Sequence, residues 1–283
     1  MAQTNDAVLI TGAAGGVGLA TTRALVDKGY RVYAGVHSLS GELESIRNVH
    51  VLKLDVTQPD SVAAAVAEVR AMGDTKLAGV INNAGVIVQG PIELVPDDQF
   101  RHQFEVNVFG PASIARAFVP LLRPGRGKLI NITASTARLP GPFFGPVSAS
   151  KAALQAMSDA LRVELAHWGI HVVIIEPGAM QTDIFSKAGV LAERVAQTQS
   201  PDQLALYSQQ LAALQKAMGS MKLNSPTLVS DAIVKAMGTA KPKARYTVGP
   251  DNRLLGLLSR LPIRTRDSLI SRVMGQHKVP KAG

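Results

Sequence analysis

The chain has 283 residues and 46% hydrophobic content, enough for one large core, and its lack of cysteine excludes a disulfide framework or a thiolate metal site. Six histidines show no metal-ligand spacing, so no metal is expected. The formal net charge is +9, but from Lys241 to Gly283 ten Lys or Arg face two Asp, which places +8 in the tail and argues, without an RNA-binding or zinc-finger motif, against a nucleic-acid reader.

The N-terminal "MAQTNDAVLITGAAGGVG" lacks a basic n-region and an unbroken apolar run, and no later segment is long and apolar enough to span a bilayer. A cytoplasmic protein is expected. In chain order, "AVLITG", "RVYAGV", "VHVLKLDV", "LAGVINNAG", "GKLINIT" and "IHVVIIEPG" are short runs rich in β-branched residues. Helical patterns separate them at 18–29, 60–71, 97–122 and 148–168. Apolar strands alternating with helices predict a parallel sheet covered on both faces, a doubly wound α/β fold of Rossmann type. Residues 1–250 are expected to form one nucleotide-binding domain with a helical lid at about 185–225. Residues 251–283 form a basic amphipathic extension, "NRLLGLLSRLPIRTRDSLISRVMG", which Pro262 kinks or splits. That segment suits packing on the body, a subunit contact, or peripheral contact with an anionic membrane.

The first chemical motif is "LITGAAGGVGLA", a turn from strand to helix with Gly12, Gly16 and Gly18. Glycine lets the backbone approach a pyrophosphate, and the helix N-terminus that follows offers free N–H groups and a favourable dipole. The spacing Gly-xxx-Gly-x-Gly differs from the usual Gly-x-Gly-xx-Gly dinucleotide fingerprint. Across residues 7–185 the chain resembles the classical short-chain dehydrogenases/reductases. The resemblance rests on Thr11-Gly12-xxx-Gly16-x-Gly18, Asp55-Val56, Asn82-Asn83-Ala84-Gly85, and Pro177-Gly178 with Thr182. It implies a cofactor site made of Gly12, Ala14, Gly15, Gly16, Val17 and Gly18 at the phosphates. Asp55 and Val56 would meet the adenine, Asn83, Ala84, Gly85 and Thr133 would line the centre, and Pro177, Gly178, Met180 and Thr182 would meet the nicotinamide carboxamide.

Cofactor choice turns on "YAGVHSLSGE" after the second strand. An acid there would take both ribose hydroxyls of NAD, whereas hydroxyl or basic groups welcome the 2'-phosphate of NADP. His37 and Ser38 stand there and the nearest acid is Glu42, so NADP is expected ahead of NAD.

The resemblance also implies a catalytic quartet of Asn, Ser, Tyr and Lys, in which the lysine lowers the phenol pKa and the serine holds the substrate oxygen. Asn107 in "FEVNVFG" and Lys151 in "SASKAAL" fill two of these places. Val147 stands four residues before Lys151, where the tyrosine belongs, and Ala134 stands thirteen before that, where the serine belongs. Ser135 would substitute if a bulge turned it inward. Ser148 points about 100° away from Val147 on a helix. His102 lies poorly for a helper role, and of the four tyrosines only Tyr207, in the lid, can reach the pocket. Three readings follow: an NADP-linked oxidoreductase with an atypical site, a nucleotide-binding regulatory protein, or a disabled form of an ordinary dehydrogenase. The first is preferred, with a small hydrophobic carbonyl or alcohol as substrate, suggested by "RLPGPFFGP" and the apolar lid. A homodimer or homotetramer is implied by the resemblance alone.

Overall fold

The computed structural model describes residues 6–38, 41–197 and 199–279. Seven parallel strands form one sheet in the order β3-β2-β1-β4-β5-β6-β7. They are β1 (Ala7–Thr11), β2 (Arg31–Val36), β3 (Val49–Lys53), β4 (Gly79–Asn82), β5 (Lys128–Ile132), β6 (His171–Pro177) and β7 (Arg245–Val248). The central strands are mainly apolar because helices cover both faces. Leu9, Val80 and Leu129 point into one core, and Val8, Ile10, Ile81 and Ile130 into the other. Helices α3 (Pro59–Ala71), α5 (Gly110–Leu122) and α6 (Gly145–Ala166) enclose the first; α1 (Gly16–Asp27) and α9 (Thr227–Gly238) enclose the second. The short α2 (Gly41–Glu44) precedes β3. Strand order reverses between β1 and β4, which opens a crevice at their carboxyl ends, where open α/β sheets bind ligands.

Three features refine the sequence reading. The helix expected over 97–122 is α4 (Asp97–Phe104), a π-helical turn at Glu105–Phe109, and α5. Gly110 N–H reaches back to Glu105 O, and Pro111 has no N–H with which to bond the Asn107 carbonyl. The helical register therefore slips by one residue at Asn107. The strand β7 is an edge strand that the charged surroundings of "RYTV" conceal from a pattern search. The tail divides at Pro262 into α10 (Asp251–Leu258) and α11 (Ile263–Val273). Between β6 and α9 lie α7 (Ile184–Ala196) and α8 (Pro201–Gly219), in the span where a lid is expected. No helix among the described residues is long and apolar enough to cross a membrane.

Candidate active site

The glycine turn is shaped by backbone contact. Gly12 has φ +66°, and a Cβ on it would lie 2.8 Å from Ala84 Cα; a Cβ on Gly18 would lie 2.2 Å from Gly12 O. Neither position tolerates a side chain. Thr11 ties this turn to β4, its hydroxyl accepting from Asn83 N at 3.1 Å and Ala84 N at 3.0 Å. The Asn83 amide in turn donates to the carbonyls of Thr11 and Gly12, both at 3.0 Å. Ala14, Gly15 and Gly16 are exposed at the tip, and no side chain caps the first turn of α1. Its N–H groups beside Val17 therefore face the crevice open to an anion. On the far side, a Cβ on Gly16 would sit 3.2 Å from the Thr182 methyl, so the glycine turn meets the segment that follows β6. Pro177 and Gly178 end that strand, with Gly178 N bonded to Val248 O at 3.1 Å. Met180 is buried and bridges to Asn224. The open amide groups, the absent side chains and the crevice fit a dinucleotide pyrophosphate.

Where the adenosine is expected, Thr57 donates to Asp55 Oδ1 from its amide at 2.9 Å and its hydroxyl at 2.7 Å. Partial burial pulls the Asp55 pKa upward, but these hydrogen bonds and the nearby His37 and His102 rings hold it below the ordinary aspartate value. His102 therefore belongs with Asp55. The Val56 side chain is buried in the space Gly110 leaves for it. The His37 side chain is 80% exposed, 3.6 Å from Asp55 Oδ2 and 3.3 Å from the Ser38 hydroxyl. Glu42 is engaged by Arg23 at 2.7 Å.

Two of the residues expected to be catalytic come together. Asn107, fully buried in the π turn, accepts from Val86 N at 3.0 Å, and its amide donates to Val86 O at 3.1 Å and the Ser150 hydroxyl at 3.2 Å. Ser150 itself donates to Val147 O at 2.8 Å, so its hydroxyl is committed to the helix. Lys151 Nζ donates to Ile132 O at 2.9 Å. A Cβ on Gly85 would lie 3.3 Å from Asn107 Oδ1 and 3.5 Å from Lys151 Nζ, which puts all three residues at one point of the crevice. Burial pushes the Lys151 ammonium down from 10.5 to about 8. Ala134 is extended and leads into a 3-10 turn at Ser135–Ala137, where Ser135 O accepts from Arg138 N and Leu139 N. Thr133 stays on the sheet, its hydroxyl donating to Ile175 O at 3.3 Å. The Ser148 hydroxyl is buried without a hydrogen-bond partner.

Val147 is only 5% exposed and packs in an apolar cluster with Phe144 and Leu214, against which Phe185, Met218 and Met274 rest. These residues come from the start of α6, from α7 and α8, and from the residue that follows α11. The tail thus turns Met274 inward, while Arg264 and Arg272 stay exposed. Gln276 holds it to α8 by donating to Gln210 O at 3.0 Å. Tyr207 lies at the mouth, edge-on to Phe143 with ring centroids 6.2 Å apart and hydrogen-bonded to Glu93, which raises its pKa.

Two buried polar groupings extend beyond the motifs. Asn82 donates to Asn131 Oδ1 at 2.8 Å and Asn131 to the Ser158 hydroxyl at 2.8 Å, joining β4, β5 and α6. Glu176 is wholly buried and ion-paired to Arg138 and Arg245. The lone acid in "VVIIEPG" and the arginine in "TARLPG" were its only signals.

The profile of the short chain dehydrogenase family matches residues 6–190. The chain belongs to that family. It is 34% identical to an NADPH-dependent 3-dehydrocapnine reductase of Ornithobacterium rhinotracheale, over 86% of this chain and 87% of the relative. A short chain dehydrogenase of Burkholderia cenocepacia, solved in complex with NADP, superposes with a TM-score of 0.71 at 25% identity, covering 96% of this chain and 99% of the other. A short chain dehydrogenase/reductase of Burkholderia phymatum, solved with NAD, gives a TM-score of 0.76 at 24% identity, covering 95% and 97%.

Proposed function

We propose that this chain is an NADP-linked oxidoreductase for an apolar carbonyl or alcohol, in which Lys151 handles the proton that the family's tyrosine would carry. The observation that carries the reading is the buried Lys151 ammonium, with its pKa lowered to about 8, beside Asn107 and Gly85. An acid–base group titrating near the working pH both gives and regains a proton efficiently. Gly12 to Gly18 and the N-terminus of α1 would hold the phosphates, His37 and Ser38 the 2'-phosphate, and Pro177, Gly178 and Thr182 the nicotinamide end. When bound, the dinucleotide supplies the hydride. Lys151 holds the proton at Nζ, Asn107 fixes the wall through Val86 and Ser150, and Val147, Phe144 and Leu214 keep water from an apolar substrate. The apolar groove of Ala115, Val119, Met157 and Leu161 on α5 and α6 supports a homo-oligomer joined there.

A second reading, nucleotide binding without turnover, is favoured by one feature: lid residues fill the space around Val147. Fluorescence titration with NADPH and NADH tests the site, and tighter binding of NADPH is expected. Turnover of a panel of carbonyls and alcohols is then compared with the Ala134→Ser, Val147→Tyr double variant. Activity in the unmodified chain, raised by roughly a hundredfold on restoring the pair, supports the oxidoreductase reading. Activity that arises only on restoration supports the second.

A further inference from the structure

We propose that Glu176 is a positioning residue for the nicotinamide half of the crevice, tying the segment after Ala134 to the Pro177–Gly178 turn. The inference rests on the reading that this crevice takes NADP. Glu176 is the residue immediately before Pro177, and its carboxylate has no exposure to solvent. A buried carboxylate is sustained only by close partners that replace water. Arg138 clasps it with Nε 3.0 Å from each oxygen and with Nη2 on Oε1. Arg245 approaches Oε2 at 3.0 Å, and the Gln155 amide donates to the same oxygen at 3.1 Å. Gln155 also reaches the Thr133 hydroxyl at 3.4 Å.

Each partner arrives from a different element. Arg138 follows the 3-10 turn that begins next to Ala134, Gln155 lies one turn beyond Lys151 on α6, and Arg245 starts β7. A Cβ on Gly256 would lie 3.1 Å from Arg138 Nη1, so α10 of the tail is set against the same guanidinium. One carboxylate therefore fixes the floor under position 134, the turn that would meet the carboxamide, and the tail. The glycine turn and Asp55, which would hold the adenosine end, are fixed by other contacts, the turn through its backbone and Asp55 through Thr57. A neutral amide at 176 would keep the volume but leave two guanidinium groups facing one another across a buried space. The nicotinamide end would loosen while the adenosine end stayed in place.

The test compares NADPH with adenosine 2',5'-bisphosphate, a fragment that lacks the nicotinamide, by calorimetric titration of the full chain and of Glu176→Gln. A loss of about tenfold in NADPH affinity is expected, with a change of less than about twofold for the fragment. Arg138→Lys, which keeps the charge but loses the two-point clasp at a partly exposed site, should show a smaller loss of the same kind, and it carries the test if Glu176→Gln does not fold. Equal weakening of both ligands, or no change in either, overturns the proposal. If the unmodified chain binds neither ligand, the NADP reading itself falls and the proposal with it.

Discussion

The two halves of the crevice are built from different materials. The half expected to take the phosphates is written in backbone: Gly18 has no room for a Cβ beside Gly12 O, Gly12 none beside Ala84, and the Asn83 amide donates to the carbonyls of Thr11 and Gly12. The half expected to take the substrate is written in side chains: Ala134, just past β5, and Val147, on α6, stand where the resemblance calls for a serine and a tyrosine. A function carried by main-chain amides is bound up with the fold, because altering it strains the chain itself. A function carried by a hydroxyl can vanish while the strand and helix beneath it persist. By that contrast, a sequence could keep a family's architecture while the chemistry of its side chains changed.

The largest effect expected from this contrast is at Gly18. Gly18→Ala would place a methyl 2.2 Å from Gly12 O and should lower NADPH affinity by on the order of a hundredfold. Fluorescence titration, with circular dichroism to check folding, measures it, and unchanged binding would remove the phosphate half from the argument. Next comes Lys151, whose value of about 8 in the folded chain lies below its usual 10.5. The unfolded chain then holds more protons between those values, so stability rises as pH climbs from about 8 to 10.5, and the cost of the buried ammonium is greatest below pH 8. Urea unfolding across that range should show a rise of up to about 3 kcal/mol that Lys151→Met lacks. The same substitution should abolish turnover at every pH.

Smaller effects sharpen the comparison on the substrate side. Met274→Ala should raise KM several-fold for bulky apolar acceptors, leave NADPH affinity unchanged, and cost about 1 kcal/mol of stability in thermal unfolding. A shift in NADPH affinity instead would mean that the apolar cluster serves the cofactor. Tyr207→Phe removes only the hydrogen bond to Glu93 at the mouth, and kcat and KM should each move by less than about twofold. A collapse of kcat in that variant would make Tyr207 the missing acid.

The glycine turn was legible in the sequence because the contacts that forbid side chains at Gly12 and Gly18 also fix their spacing, and six strands were legible because a sheet covered on both sides needs continuous apolar runs. Other features escaped for physical reasons. The π turn depends on what Pro111 withholds from Asn107, an effect of one missing donor that periodicity does not register. The edge strand β7 is four residues long and half-exposed, so it lacks the apolar signature of its neighbours. The partners of Glu176 are spread from Arg138 to Arg245, and no local pattern joins them. The same holds for the meeting of Val147 with Leu214 and Met274, since only the fold brings the lid and the tail to one place.

That meeting has a practical side. Because Met274, just past α11, packs against the cluster around Val147, the tail would form one wall of the proposed reaction chamber. Proteolytic trimming or a bulky fusion there would be felt at the chemistry, well before it was felt in the sheet.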